Sequence, residues 1–141
     1  MRFVLALVVA IVLAACSSAH VVPAGESYAG PLRELWDDGR PDRHEAEAVA
    51  VLLGEGDAAT LTLDGCTVPL RLVSALEEPR RRYVLDGERV LCEAGEVAQA
   101  LAGDPVRREP PPPGDALDVE LWITRADGAP SMVVFRGERA P

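Results

Sequence analysis

Few side chains in this 141-residue chain are suited to acid–base, metal or nucleophilic chemistry. Of the two histidines, His20 and His44, only His44 has carboxylates beside it, in the stretch DRHEAE at 42–47. That stretch could hold a cation, but it lacks the second imidazole of an H-E-x-x-H zinc motif. The sequence shows neither a G-x-S-x-G nucleophile elbow nor a phosphate loop with its lysine. We therefore predict no catalytic, cofactor or metal site and interpret His44 as a surface residue.

Trp122 is the residue most indicative of a binding surface. The stretch LDVELWITR, 117–125, alternates apolar and other residues with the period of a β-strand. Trp122 falls on the face that also carries Asp118 and Glu120. An exposed tryptophan is typical of binding hot spots. We therefore predict a possible binding surface at Trp122, and the alternative is that a helix or the N-terminal segment covers this face.

The N-terminus has the layout of a secretory signal peptide. Met1-Arg2 supplies a positive start, and residues 3–15 form an uncharged apolar run, FVLALVVAIVLAA. As a helix this run would span about 20 Å, at about 1.5 Å per residue. That length is short for a bilayer core of about 30 Å. A short apolar run after a positive start and before small residues favours a signal peptide over residues 1–15.

The end of this leader resembles the lipobox of bacterial lipoproteins. The residues Leu13-Ala14-Ala15-Cys16 follow the apolar run directly. The resemblance covers only the first 16 residues, and we recognise no family for the rest of the chain. It implies cleavage before Cys16, a diacylglycerol thioether on Cys16 and acylation, such as palmitate, of its new amino group. Two or more acyl chains anchor a protein stably, whereas one binds a bilayer only marginally. Ser17, a residue other than aspartate, is typical of outer-membrane sorting in bacteria with two membranes.

The two remaining cysteines, Cys66 and Cys92, are predicted to form a disulfide. Export would place them in an oxidising compartment, where an even pair most simply forms one bridge. The alternatives are a redox couple or a metal pair. A redox couple usually has C-x-x-C spacing, and a zinc site needs further cysteine or histidine ligands nearby.

The charge of the chain excludes nucleic acid as a partner. All 14 basic residues are arginine, and 23 residues are acidic, for a net charge of −9. Removal of residues 1–15 also removes Arg2, so the mature chain is still more acidic. Such a surface repels phosphate backbones and anionic headgroups. We therefore expect the acyl anchor, rather than charge, to hold the protein on a membrane.

Turn signals and alternation predict a mainly β domain. Strands are expected over 46–53, with a helix as the alternative, and in two hairpins built on Asp64-Gly65 and Asp86-Gly87. Short helical segments are expected after Pro31 and over 93–103, the latter with Val97, Ala98 and Leu101 inward. Pro69 suggests an edge or bulge, and Pro110–Pro113 a stiff connector. Trp36 and Phe135 are assigned to the core.

The predicted fold class is mainly β with minor α. It is a small antiparallel sheet, sandwich or partly open barrel with one or two short helices. The domain organisation is a signal peptide at 1–15, a flexible tether with lipidated Cys16 at 16–30, and one β-rich domain at 31–141.

These observations together predict an extracytoplasmic lipoprotein, anchored to the cell membrane or the outer membrane. Its leading interpretation is a binding or accessory module of the cell envelope, with an envelope protein or polymer as partner. A structural envelope protein and a small envelope hydrolase are the alternatives.

Overall fold

The fold consists of antiparallel strands that form one continuous sheet. The computed structural model describes residues 25–73, 81–103 and 116–141. In these ranges every regular element is a strand. The strands are β1 (Glu26–Trp36), β2 (Arg43–Glu55), β3 (Ala58–Leu63), β4 (Cys66–Leu72), β5 (Arg82–Leu85), β6 (Val90–Cys92), β7 (Gly95–Gly103), β8 (Ala116–Thr124) and β9 (Pro130–Arg139).

The sheet closes on itself as an antiparallel barrel of eight strands. The order is β5-β4-β3-β2-β1-β9-β8-β7, and pairing of β5 with β7 closes the ring. β6 pairs only with β7, beyond the point where β5 ends. β5 and β6 thus act as one interrupted strand. Closure leaves the sheet without a long exposed edge.

The two ends of the barrel have different chain connections. The end where β1 begins at Glu26 and β9 finishes at Arg139 is called the entry end below, because the N-terminal segment joins the domain there. The opposite end carries the β3–β4 turn and the cysteine pair, and is called the disulfide end.

Alternating side chains fill the interior of the barrel. An eight-stranded barrel encloses a space just wide enough for side chains to fill. On β8 the predicted alternation is observed, with Leu117, Val119, Leu121 and Ile123 buried. Gly137 makes room for a large neighbour, because a Cβ at this glycine would lie 2.4 Å from Cζ of Phe135. The buried apolar residues are Tyr28, Leu32, Ala48, Ala50, Leu52, Ala59, Leu61, Leu63, Cys66, Val68, Leu70, Tyr83, Val97, Ala100, Ala102, Ala116, Leu117, Val119, Leu121, Ile123, Val133 and Phe135.

The first predicted hairpin and the strand at 46–53 are observed. Asp64 and Gly65 both have positive φ, at 53° and 72°, as a two-residue turn of type I′ requires. Residues 46–53 lie inside β2, which starts three residues earlier and ends two residues later than predicted.

The predicted helix over 93–103 is wrong, because this stretch forms β7. A bulge between Val97 and Gln99 shifts the alternation, so that the buried residues are Val97, Ala100 and Ala102. The prediction placed Val97, Ala98 and Leu101 inward, but Ala98 and Leu101 are exposed. The helical prediction thus failed where the bulge breaks the alternation of the strand.

The predicted helical turn after Pro31 is also wrong. Pro31 lies within β1 at the register shift between Gly30 and Leu32. Proline has no N–H to donate to a ladder, and a bulge accommodates it. β1 begins at Glu26, so residues 26–30 of the predicted tether are part of a strand.

The second hairpin and the partly open barrel are corrected as well. Asp86-Gly87 does not join two paired strands, because β5 and β6 both pair with β7. The turn signal instead marks the interruption between them. The barrel is closed by the β5–β7 ladder, a long-range pairing that local patterns cannot show.

Candidate functional site

An open groove of about 620 Å³ lies on the outer surface over β7 and β8, towards the disulfide end. Trp122 is half-buried there. Its cross-strand neighbours are Gln99 on β7 and Met132 on β9. The groove is lined by Glu88, Arg89, Ala98, Gln99, Trp122, Ile123, Thr124, Pro130 and Ser131.

Two irregularities of the sheet create this groove. The β7 bulge brings Ala98 and Gln99 to the exposed surface as consecutive residues. The interruption between β5 and β6 supplies Glu88 and Arg89 as one wall. Bulges commonly re-aim side chains next to functional sites.

Most polar side chains of the groove have no side-chain hydrogen bond to another described residue. Among the described residues, the indole N–H of Trp122, the amide of Gln99 and the hydroxyl of Thr124 make no side-chain hydrogen bond. Arg89 donates from Nη1 to Glu96 Oε1 at 3.1 Å, and both side chains are substantially exposed. An exposed ion pair of this kind is worth at most about 1 kcal/mol, so it can readily be exchanged for a ligand contact.

An apolar row extends the groove around the barrel. Leu35 pairs with Met132 across β1 and β9, and Met132 pairs with Trp122 across β9 and β8. All three side chains are half-buried on the outward face. Apolar contact area is therefore available beside the groove's hydrogen-bonding groups.

The disulfide joins two strands where the backbone ladder between them is missing. Cys66 and Cys92 are bonded, with Cα atoms 4.8 Å apart, which confirms the predicted pair. β4 pairs with β5 only from Leu70 to Leu72, so its first half has no β5 partner. Among the described residues, two bonds connect this part of the chain to β6 and the residue after it. One is the disulfide, and the other is the hydrogen bond that the Glu93 N–H donates to the Gly65 carbonyl at 3.3 Å.

A buried charge cluster fills the disulfide end. Glu34 is 2% exposed, and its Oε1 accepts a hydrogen bond from Arg125 Nε at 2.7 Å. Arg125 also donates from Nη1 to the Ala94 carbonyl at 2.7 Å. Arg43 approaches Glu34 Oε2 at 3.5 Å and donates to Asp64 Oδ2 at 2.6 Å. Glu34 thus links β1 to β2 and to the turn after β8.

A second polar cluster lies at the entry end. Glu26 Oε2 accepts from Tyr28 Oη at 2.7 Å and from Arg81 Nη2 at 2.8 Å, while Oε1 accepts from Arg139 Nη2 at 2.7 Å. Burial opposes ionisation of Glu26, but these hydrogen bonds and charges outweigh burial and lower its pKa. Burial, reinforced by the bond to Glu26, raises the pKa of Tyr28 to about 12.

The raised pKa of Tyr28 predicts a loss of stability at alkaline pH. The phenol of Tyr28 holds its proton more tightly in the folded chain, where its pKa is about 12, than in the unfolded chain, where its pKa is about 10. Its stabilising contribution is therefore complete below pH 10 and is lost as the pH rises towards 12. We expect the free energy of unfolding of Tyr28→Phe to fall less steeply over this interval than that of the wild type, measured by urea denaturation at each pH. Parallel slopes for the two proteins would contradict the assignment.

The predicted site residues occupy separate places. Trp122 lines the groove, and His44 is exposed on β2 opposite Arg33. Phe135 is in the core, as predicted. Trp36 was assigned to the core, but it is only half-buried at the end of β1, where the guanidinium of Arg40 lies over its ring at 4.0 Å from the centroid. Cys16 and the predicted signal peptide lie outside the described residues.

Sequence reasoning missed the groups that are brought together only by closure of the barrel. Glu34 and Arg125 are 91 residues apart, and Glu26 and Arg81 are 55 apart. Ser131 was not singled out either, although it is 6% exposed and its Oγ has no hydrogen-bond partner among the described residues. Alternation would have assigned Glu34 and Ser131 to inward positions, but no local signal identifies Arg125 as the partner of Glu34.

Comparison of the chain with protein-family models, with curated proteins and with solved structures finds no match. In the described ranges there is no helix long and apolar enough to cross a membrane.

Proposed function

We propose that this protein is a lipid-anchored binding module of the cell envelope, which holds an envelope protein or polymer in the groove at Trp122. The observation that carries the proposal is the half-buried Trp122 in an open groove, with unpaired hydrogen-bonding groups around it. Tryptophan and arginine are the side chains most enriched at binding hot spots, and Arg89 supplies the second of them.

The anchor and the groove fit together in this proposal. The lipobox-like Leu13-Ala14-Ala15-Cys16 would attach the chain through acyl groups, and the chain enters the barrel at Glu26. The groove lies towards the opposite end, so this arrangement leaves it accessible to partners away from the lipid surface.

The groove supports binding rather than hydrolysis. Among its lining residues Glu88 is the only carboxylate, whereas a glycosidase uses a pair. His44 lies on β2, which is separated from β8 by β9 and β1. The groove therefore provides contact groups without a paired acid and base.

The proposal is tested by photo-crosslinking in native membranes. A photoreactive residue at Gln99, inside the groove, is expected to give a crosslinked partner. The same residue at Val49, which is 55% exposed on β2, serves as the control site. Trp122→Ala should weaken the association by about 2 kcal/mol, or roughly thirtyfold, as loss of a hot-spot aromatic does.

Three further results decide between the hypotheses. Cys16→Ser should abolish incorporation of labelled fatty acid and release the protein from the membrane fraction. Equal crosslinking from Gln99 and Val49, or binding unaffected by Trp122→Ala, would contradict the groove. Hydrolysis of a cell-wall substrate by the purified chain would favour the enzyme alternative.

A further inference from the structure

A second cavity, of about 190 Å³, opens at the mouth of the barrel at the entry end. It is lined by Glu26, Leu52, Gly54, Arg81 and Tyr83. This cavity is separate from the groove at Trp122 and shares no lining residue with it. The mouth of a barrel is a preferred place for small-ligand sites.

Gly54 and Tyr83 shape the inside of the cavity. Gly54 follows Leu52 on the inward face of β2, and a Cβ at this glycine would lie 3.7 Å from the hydroxyl oxygen of Tyr83. The absent side chain therefore leaves space directly beside the phenol. Tyr83 is only 4% exposed, yet its hydroxyl makes no hydrogen bond to a described residue. Tyr83 lines the cavity and its hydroxyl oxygen is not a fully buried atom, so the hydroxyl is accessible to water or to a ligand there.

The three charged groups that meet at Glu26 carry a net positive charge. Arg81 and Arg139 both donate to the single carboxylate of Glu26, at 2.8 and 2.7 Å. Two guanidinium groups and one carboxylate sum to one positive charge. At physiological salt, charges more than about 8 Å from this group are largely screened.

Donors also outnumber acceptors around the cavity. A guanidinium carries five N–H groups and a tyrosine hydroxyl one. Glu26 already accepts hydrogen bonds from Tyr28, Arg81 and Arg139 through its two oxygens. A ligand that completes the site must therefore bring acceptor oxygens and negative charge, as a carboxylate or a phosphate does.

We propose that this mouth cavity binds a small oxyanion group, a phosphate or a carboxylate, through the guanidinium of Arg81 and the hydroxyl of Tyr83. The volume is below the range of about 300–1,000 Å³ that is typical of pockets for drug-sized ligands. It therefore suits a single anionic group, either free in solution or at the end of a larger molecule such as a phospholipid. The site does not depend on the groove, and the failure of either leaves the other standing.

Titration of the full chain with inorganic phosphate and with acetate, followed by amide NMR shifts, tests the site. Saturable shifts are expected at Gly54 and Tyr83. Tyr83→Phe keeps the ring and removes only the unpaired hydroxyl, and it should weaken binding about tenfold, equivalent to about 1.4 kcal/mol. Gly54→Val, which places methyl groups in the cavity, should abolish binding.

Arg136→Gln is the matched control, because it removes an exposed arginine that pairs with Asp118 on the outer surface. It should bind phosphate as the wild type does. Absence of saturable shifts at Gly54 and Tyr83, or equal binding by the wild type and Gly54→Val, would overturn the proposal.

Competition with vesicles identifies the source of the anion. If phosphatidylglycerol vesicles displace inorganic phosphate from the wild type, and do not bind Gly54→Val, the natural ligand is a lipid headgroup. If the vesicles leave phosphate bound, the ligand is a soluble acid. Either result supports the oxyanion site and assigns its source.

Discussion

Replacement of both Cys66 and Cys92 by alanine is expected to lower the free energy of unfolding by about 3 to 4 kcal/mol. The bridge closes a loop with a sequence separation of 26, and in the chain-entropy model a loop of this size stabilises by that amount. The loss is a large part of a domain's total stability of about 5 to 15 kcal/mol. Urea denaturation of wild type and double variant under oxidising conditions measures it.

The position of the bridge adds a local expectation. The ladder between β4 and β5 covers only Leu70 to Leu72 and does not reach the start of β4 at Cys66. The bridge therefore holds the barrel closed where hydrogen bonds between strands are few. We expect hydrogen exchange of the double variant to increase most at the start of β4 and at β6. A reducing agent should destabilise the wild type to the level of the double variant and leave that variant unchanged. A wild type that contains two free thiols by non-reducing mass analysis would contradict the bridge.

Replacement of Glu34 by glutamine is expected to cost about 3 to 5 kcal/mol, the usual cost of removing one partner from a buried ion pair. The change leaves the guanidinium of Arg125, whose side chain is 17% exposed, without its carboxylate. Asp64 lies 3.7 Å from the same guanidinium and compensates only in part, since it also accepts from Arg43. Denaturant unfolding at neutral pH gives the value.

A double variant separates the cost of leaving Arg125 buried without a partner from the net stabilisation that the Glu34–Arg125 ion pair provides. Glu34→Leu combined with Arg125→Met removes both charges, and it should recover more than half of the stability lost in Glu34→Gln. Asp118→Asn is the control for an exposed pair, Asp118 with Arg136, and should cost less than about 1 kcal/mol. Equal losses of stability in Glu34→Gln and Asp118→Asn would show that the buried ion pair contributes no more to stability than an exposed one.

The two proposals assign different ligands to the groove and to the mouth cavity. The groove offers aromatic and apolar area to a large partner, whereas the mouth offers positive charge to a small group. If the acyl anchor holds the entry end near a membrane, the mouth faces headgroups and the groove faces the envelope space.

Much of the strand content could be predicted from the sequence, because it depends on near neighbours. The alternation over 117–125 and the Asp64-Gly65 turn identify their elements without reference to the rest of the chain. The same reasoning failed over 93–103, where a helix with Val97, Ala98 and Leu101 inward was predicted, since the bulge between Val97 and Gln99 breaks the alternation of this strand.

The candidate site was predictable only in part. Trp122 was found because its strand alternates clearly, and its groove was not, because Arg89 and Gln99 reach it through the interruption of one strand and the bulge of another. The mouth cavity gave no sequence signal, because Gly54 and Tyr83 come together across β2 to β5 only when the barrel forms.

The sequence by itself determined some of the strands, such as the one over 117–125, the Cys66–Cys92 pair and the prediction of an anchored leader ending at Cys16, since each depends on local pattern or on counting. The tertiary structure alone decided that the sheet closes, that Glu34 meets Arg125 and that an open mouth remains beside Gly54. The physical reason is that closure requires pairing of β5 with β7, and the free energy of such long-range contacts depends on the packing of the whole interior rather than on any one segment.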